Sequence, residues 1–115
     1  MIQYKCKVKF WELILLSELL SRLPEEFRQD VHSAVEILKS GGCKEIFIFG
    51  SLISGTQRED SDIDIAIKGC SPENYFSLLG KLLTVLSRPV DLINLDREDS
   101  FSKYLEREGD LYRIS

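Results

Sequence analysis

Three aspartates and one Gly-Ser step are the residues of this chain whose types and spacing could do chemistry. In the stretch FIFGSLISGTQREDSDIDIAI, residues 47 to 67, an apolar run ends in Gly50-Ser51 and a polar loop follows. Two carboxylates spaced by one residue, Asp62 and Asp64, then open a second apolar run. A third, Asp91, is the second residue of the later run VDLINL. Side chains alternate faces along a strand, so Asp62, Asp64 and Ala66 share one side while Ile63, Ile65 and Ile67 share the other and take the core. The two aspartates then stand about 6 to 7 Å apart, and pairing of the two strands brings Asp91 to the same patch. Like charges held that close are unfavourable unless a cation neutralises them. Oxygen-only ligands favour a hard ion, Mg²⁺ or Mn²⁺. A glycine at the end of a buried strand, with serine opening a helical turn, presents N–H groups and a hydroxyl suited to phosphate. Each signal has a plain alternative: paired aspartates at a strand edge are common as solvated or turn-forming residues, and Gly-Ser is a frequent strand-to-helix turn. One loop joins the two signals, and that raises both.

The elements that must carry these residues follow from periodicity. Apolar residues at 13, 16, 20 and 23, with 15 and 19 beside them, predict a first helix over 10–23, ended by Pro24. Phe27, Val31, Ala34, Val35 and Leu38 share one face of a second helix over 25–40, closed by Gly41-Gly42. EIFIF, residues 45–49, is short, β-branched and aromatic, and reads as a buried strand. A short helical turn over 51–56, a polar loop over 56–61 and a second strand over 62–68 follow. Ser71-Pro72-Glu73 starts a helix running to Ser87, with serine at the cap and proline in the first turn. Arg88-Pro89 breaks it. A third strand over 90–95, a last helix over 99–108 stopped by Gly109, and a short edge strand over 111–114 complete the chain. Helices interleaved with strands on a small mixed sheet give an α/β (α+β) fold without repeats or linkers.

At 115 residues the chain reads as one domain, 1–115, with no room for a separate substrate-binding domain. A net charge of −4 and a pI near 5.0 argue against gripping nucleic acid over a broad surface, which takes many lysines and arginines. Cys6, Cys43 and Cys70 are odd in number, lie far apart and show no metal-type spacing, and read as reduced thiols. Lys5, Lys7 and Lys9 ahead of FWELILLSELL imitate a signal peptide, but Glu12 and Glu18 interrupt the apolar run, whose longest unbroken stretch is Leu13 to Leu16. A spanning helix needs about 20 predominantly apolar residues, so the expectation is a cytoplasmic protein with an amphipathic first helix and no membrane partner. That helix carries apolar residues, Trp11 among them, around much of its circumference, which suits burial in the core or against a partner chain, a second copy included. His32 falls on the second helix, away from the motif, and reads as a surface or structural histidine.

Gly50-Ser51, ten residues, Asp62-Ile63-Asp64 and then Asp91 on a later strand resembles the minimal nucleotidyltransferases of the DNA polymerase beta superfamily. The ending REGDLYRIS is similar to the way these small proteins finish. The likeness covers roughly residues 43 to 114 and leaves an extra N-terminal segment, 1–24, outside. It implies transfer of a nucleoside monophosphate from a nucleoside triphosphate, ATP or another, to a hydroxyl, with release of pyrophosphate and with two divalent ions. Asp62, Asp64 and Asp91 would be the metal ligands and catalytic groups, with Asp91 helping to deprotonate the acceptor. Gly50, Ser51, Gly55 and Arg58 would attend the triphosphate. One departure matters: many members follow Gly-Ser with Arg-Ala-Arg-Gly, whereas this chain has Leu52-Ile53-Ser54-Gly55. Arg58, Lys68, Lys81 or Arg88 could supply the missing positive charge, although each reads more simply as a solvated surface residue. The resemblance implies two functions. One is an antitoxin that attaches AMP to a helical HEPN-type toxin; the other is a catalytically weak or inactive nucleotidyltransferase-fold module that neutralises its partner sterically.

Overall fold

Alternation in IDIAI does build a central strand, and the rest of the molecule is arranged around it. The computed structural model describes residues 10–97, 99–109 and 111–115, with side chains from residue 14 onward. The readings placed on Lys5, Cys6, Lys7 and Lys9, and on the side chains of Trp11, Glu12 and Leu13, lie outside the described residues. The elements are α1 (Phe10–Arg22), α2 (Glu25–Ser40), β1 (Glu45–Phe49), α3 (Ser51–Ser54), β2 (Ile63–Lys68), a 3-10 turn (Pro72–Asn74), α4 (Tyr75–Val85), β3 (Val90–Asn94), α5 (Ser100–Glu108) and β4 (Tyr112–Arg113). The sheet order is β3-β2-β1-β4, with β2 and β3 parallel and the other pairs antiparallel. The parallel pair needs a crossover, and α4 provides it. No described helix is long and apolar enough to cross a membrane.

One face of the sheet carries the main core. Ile63, Ile65 and Ile67 are fully buried there with Ile46, Ile48 and Leu92, against Phe27, Val31 and Leu38 of α2 and Leu78 and Leu82 of α4. Leu19 and Leu23, in and just after α1, join this core, and the Tyr112 hydroxyl donates to Leu15 O at 3.2 Å, tying α1 to β4. The first helix is thus packed on its own chain along that stripe. The opposite face carries a core of its own. Ala66 is fully buried in a second, smaller core with Leu95 and Leu105, roofed by α5. Toward the other end of that face Asp62 is exposed and Asp64 half-buried.

Several boundaries move for identifiable reasons. Ser71 does not cap a helix backbone; its hydroxyl bonds to Glu73, and the first turn is 3-10. Asp99 lies just outside α5 as its N-cap, accepting from Ser102 N at 2.8 Å. The fourth helix stops at Val85, with Leu86 already extended, because Asp30 of α2 takes the Ser87 backbone N–H (3.1 Å) and hydroxyl (2.7 Å). Asp30 is 7% exposed and its Oδ2 also lies 3.6 Å from Arg88 Nε, an ion pair too long for a hydrogen bond. Removing one member of a buried charge pair strands the other. Asp30→Ala is therefore expected to cost about 3 kcal/mol and about 10 °C in melting temperature, measured by thermal denaturation.

The free edge of β3 is also covered. Leu92 O accepts from the Tyr75 hydroxyl at 2.5 Å and Asn94 O from the Ser102 hydroxyl at 3.2 Å, so two helices occupy carbonyls that an exposed edge would offer to another chain. Cys43 and Cys70, distant in sequence, meet beyond the last β1–β2 pair, Glu45 opposite Lys68. Both are buried free thiols, and burial pushes the Cys43 thiol up, with the neighbouring Cys70 adding to the effect.

Candidate active site

The site forms where β1 ends and β2 and β3 begin. Parallel pairing sets Asp64 directly opposite Asp91, and antiparallel pairing sets Phe49 opposite Asp64 on the other side. The residue after Phe49 is Gly50, whose backbone lies against the Asp64 side chain: a Cβ there would stand 2.1 Å from Asp64 Oδ2. Gly50 has φ +77 and ψ −146, a conformation reserved for glycine. Glycine thus serves two local needs, a left-handed backbone and space for a carboxylate. From Gly50 the chain turns at once into α3, where Gly50 O accepts from Ile53 N and Ser54 N, both at 3.1 Å. The first N–H groups of that turn stand outside the helical ladder.

The carboxylates differ in setting. Asp62 and Asp91 are exposed, whereas Asp64 is half-buried. Burial, then the charges of Asp91 and Asp62 and a hydrogen bond with Asp91, pushes the Asp64 carboxyl up to about 6. Among the described residues no group of three acidic, histidine or cysteine side chains stands at metal-holding distance. The donor chemistry nevertheless fits a hard divalent ion: all-oxygen ligands, an open side, and a half-buried carboxylate burdened by two neighbours of its own sign.

The raised value has a consequence for stability. An Asp with a folded-state value above its ordinary 3.8 stays protonated in the folded chain after the unfolded chain has released its proton. Between pH 4 and about 6 the folded state therefore binds more protons, and rising pH withdraws stability. The urea-midpoint difference between Asp64→Asn and the parent, without metal, should grow from pH 4 to pH 6.5 and then level off. A constant difference would remove the raised carboxyl.

The other expected site residues divide. Ser51 is half-buried at the start of α3, and Gly55 closes that turn with φ +81, donating to Ser51 O at 2.9 Å. Arg58 is exposed in the loop, in a tight turn where its N–H donates to Ser61 Oγ at 2.7 Å. Lys68 is at the far end of β2, 2.6 Å from Glu106, and Lys81 lies exposed on α4. Arg88 is no solvated residue: its side chain is 12% exposed, its guanidinium carbon sits 3.9 Å above the Phe27 ring, and Nη1 donates to Glu59 O at 2.6 Å. His32 is exposed, 3.9 Å from Glu36, as expected of a surface histidine. Sequence reasoning missed Asp30. Its signal was there, a carboxylate on the apolar stripe formed by Phe27, Val31 and Ala34.

The family model for polymerase beta nucleotidyltransferases matches residues 32–112. Comparison with curated proteins returns no match. Among solved structures, a crystal structure of a toxin-antitoxin with AMP-PNP superposes with a TM-score of 0.56 at 26% identity, covering 70% of each chain. A mutant of the MntA-HpeT toxin-antitoxin gives 0.54 at 27% identity, covering 70% of this chain and 68% of that one. MntA-HepT gives 0.53 at 21% identity over 74% of this chain and 70% of that one, a likeness of fold alone. With a matched model spanning more than half its length and the Gly-Ser and Asp-x-Asp residues meeting at one end of the sheet, the chain belongs to the polymerase beta nucleotidyltransferase family.

Proposed function

We propose that the protein is a metal-dependent nucleotidyltransferase that moves AMP from ATP to a hydroxyl of a helical HEPN-type toxin, as the antitoxin of that pair. The observation that carries this reading is the opposition of Asp64 and Asp91 across β2 and β3, with Asp62 one step away and Gly50 packed on Asp64. Likeness to toxin-antitoxin structures, one with AMP-PNP, supports the partner and the nucleotide.

Asp62 and Asp64 would hold both divalent ions, Mg²⁺ or Mn²⁺, and Asp91 would complete the shell of one. Bound there, the ions supply charge stabilisation to the entering and leaving oxygens. The acceptor hydroxyl forms a bond to the α-phosphorus, the bond to pyrophosphate breaks, and Asp91 takes the hydroxyl proton. Gly50 and Ser51 hold the β and γ phosphates through N–H groups and the serine hydroxyl, with Gly55 keeping the turn tight and Arg58 adding charge from the loop. Cations and protons compete for the same oxygens, so Mg²⁺ should raise the melting temperature more at pH 7.5 than at pH 5.

A second reading, steric neutralisation without catalysis, is favoured by one observation. Where many relatives place arginines, Leu52 is buried in the core, Ile53 packs against it, and Ser54 is engaged with Thr56 at 2.9 Å. Labelled ATP, Mg²⁺ and the partner protein separate the two. Transfer of an α-phosphate label, with a γ label released as pyrophosphate, supports the enzyme. A chain that silences its partner with no label transferred supports the steric module.

A further inference from the structure

Asp62 precedes β2, so the sheet ladder alone does not aim it. The loop before it is fastened instead by a buried charge from elsewhere. Arg88 Nη1 donates to Glu59 O at 2.6 Å and reaches Ser61 O at 3.4 Å, gripping the loop one and three residues before Asp62. One residue after Asp62, Ile63 N donates to Pro89 O at 3.0 Å. The 88–89 segment thus holds the chain on both sides of Asp62.

Arg88 is itself fixed from behind. Asp30 lies 3.6 Å from its Nε and accepts twice from Ser87, and the Phe27 ring lies under the guanidinium plane. Only a planar, forked cation can face a carboxylate on one edge and two carbonyls on another while stacking on a ring. Stability alone does not demand such a device, since buried ion pairs are often no better than apolar packing. Its placement beside a candidate metal ligand supplies a reason for keeping it.

We propose that Arg88, seated on Asp30, is a positioning residue that sets the orientation of Asp62 and thereby the affinity of the site for its divalent ions. The inference rests on the metal-site reading above and goes beyond it, because it assigns Arg88 to the protein's own loop and away from the triphosphate.

The test uses Mn²⁺ titrated into the full chain without nucleotide, with free Mn²⁺ read by electron paramagnetic resonance. Arg88→Lys keeps the charge facing Asp30 but loses the fork, and should weaken Mn²⁺ binding about tenfold, in the range of other outer-shell losses. Arg88→Met should weaken it at least as much. Leu82→Ala, which opens the α4 core without touching the loop, should lower the melting temperature and leave Mn²⁺ affinity unchanged. A parent that binds Mn²⁺ beside an Arg88→Lys that binds it equally well overturns the positioning role and leaves the metal site standing. Equal weakening in Leu82→Ala makes Arg88 merely structural and also overturns it. A parent that binds no Mn²⁺ overturns both.

Discussion

Asp64→Asn is expected to slow nucleotidyl transfer by about a thousandfold or more, and at the same time to raise the melting temperature of the metal-free chain. The rate loss follows from the proposed role, a carboxylate that would hold both ions: a thousandfold corresponds to about 4 kcal/mol of transition-state stabilisation, within what metal-borne charge stabilisation supplies. The stability gain follows from the same geometry. Asp64 is half-buried opposite Asp91, and burial together with its acidic neighbours disfavours its charge. Its partial exposure screens the effect to about 1 kcal/mol, or about 4 °C. Single-turnover transfer and thermal melting of the same preparation read the two effects. Opposite directions identify a residue kept for chemistry at a cost to the fold. Loss of both would mark Asp64 as structural, and unimpaired transfer would remove it from the site.

Gly50→Ala should also abolish most activity, through a different cause. The added Cβ would meet Asp64 Oδ2 at 2.1 Å, and the position holds φ +77. The backbone strain alone costs about 1 to 3 kcal/mol. Relief of the clash must push Asp64 aside, and displacement of a reacting group by about 1 Å can lower a rate a hundredfold. Gly42→Ala is the control, because Gly42 has φ +92 but open space where its Cβ would be. It should lose stability to a similar degree and keep its activity. If both variants transfer equally well, contact between Gly50 and Asp64 has no catalytic importance.

The two variants illustrate which links were readable in advance. That Asp64 faces away from the isoleucines is a local matter, dictated by the two-residue period of a strand. That Gly50 must be glycine on account of Asp64 was not readable, because the close approach depends on β1 and β2 pairing antiparallel with Phe49 opposite Asp64. Arg88 shows the same limit from the other side. Its position before a proline marked the end of a helix to within about two residues, but its burial required Asp30, fifty-eight residues earlier, to lie beneath it. Ala66 lies on the face that alternation gives it and is buried, but what buries it was not readable, since α5 roofs that face and periodicity says nothing of what lies above a strand.

By itself, the sequence determined the order and type of the elements, the inward set Ile63, Ile65 and Ile67, and the candidate set Gly50, Ser51, Asp62 and Asp64. Those follow from side-chain direction, propensity and spacing along a few neighbouring residues. Tertiary structure alone decided the register that sets Asp91, already a candidate, directly opposite Asp64, that Cys43 meets Cys70, that α5 covers Ala66, and that Arg88 holds the loop before Asp62. Each of these depends on strand partner, register or helix placement. Those are settled by burying the whole apolar surface at once, a condition no local stretch of chain contains.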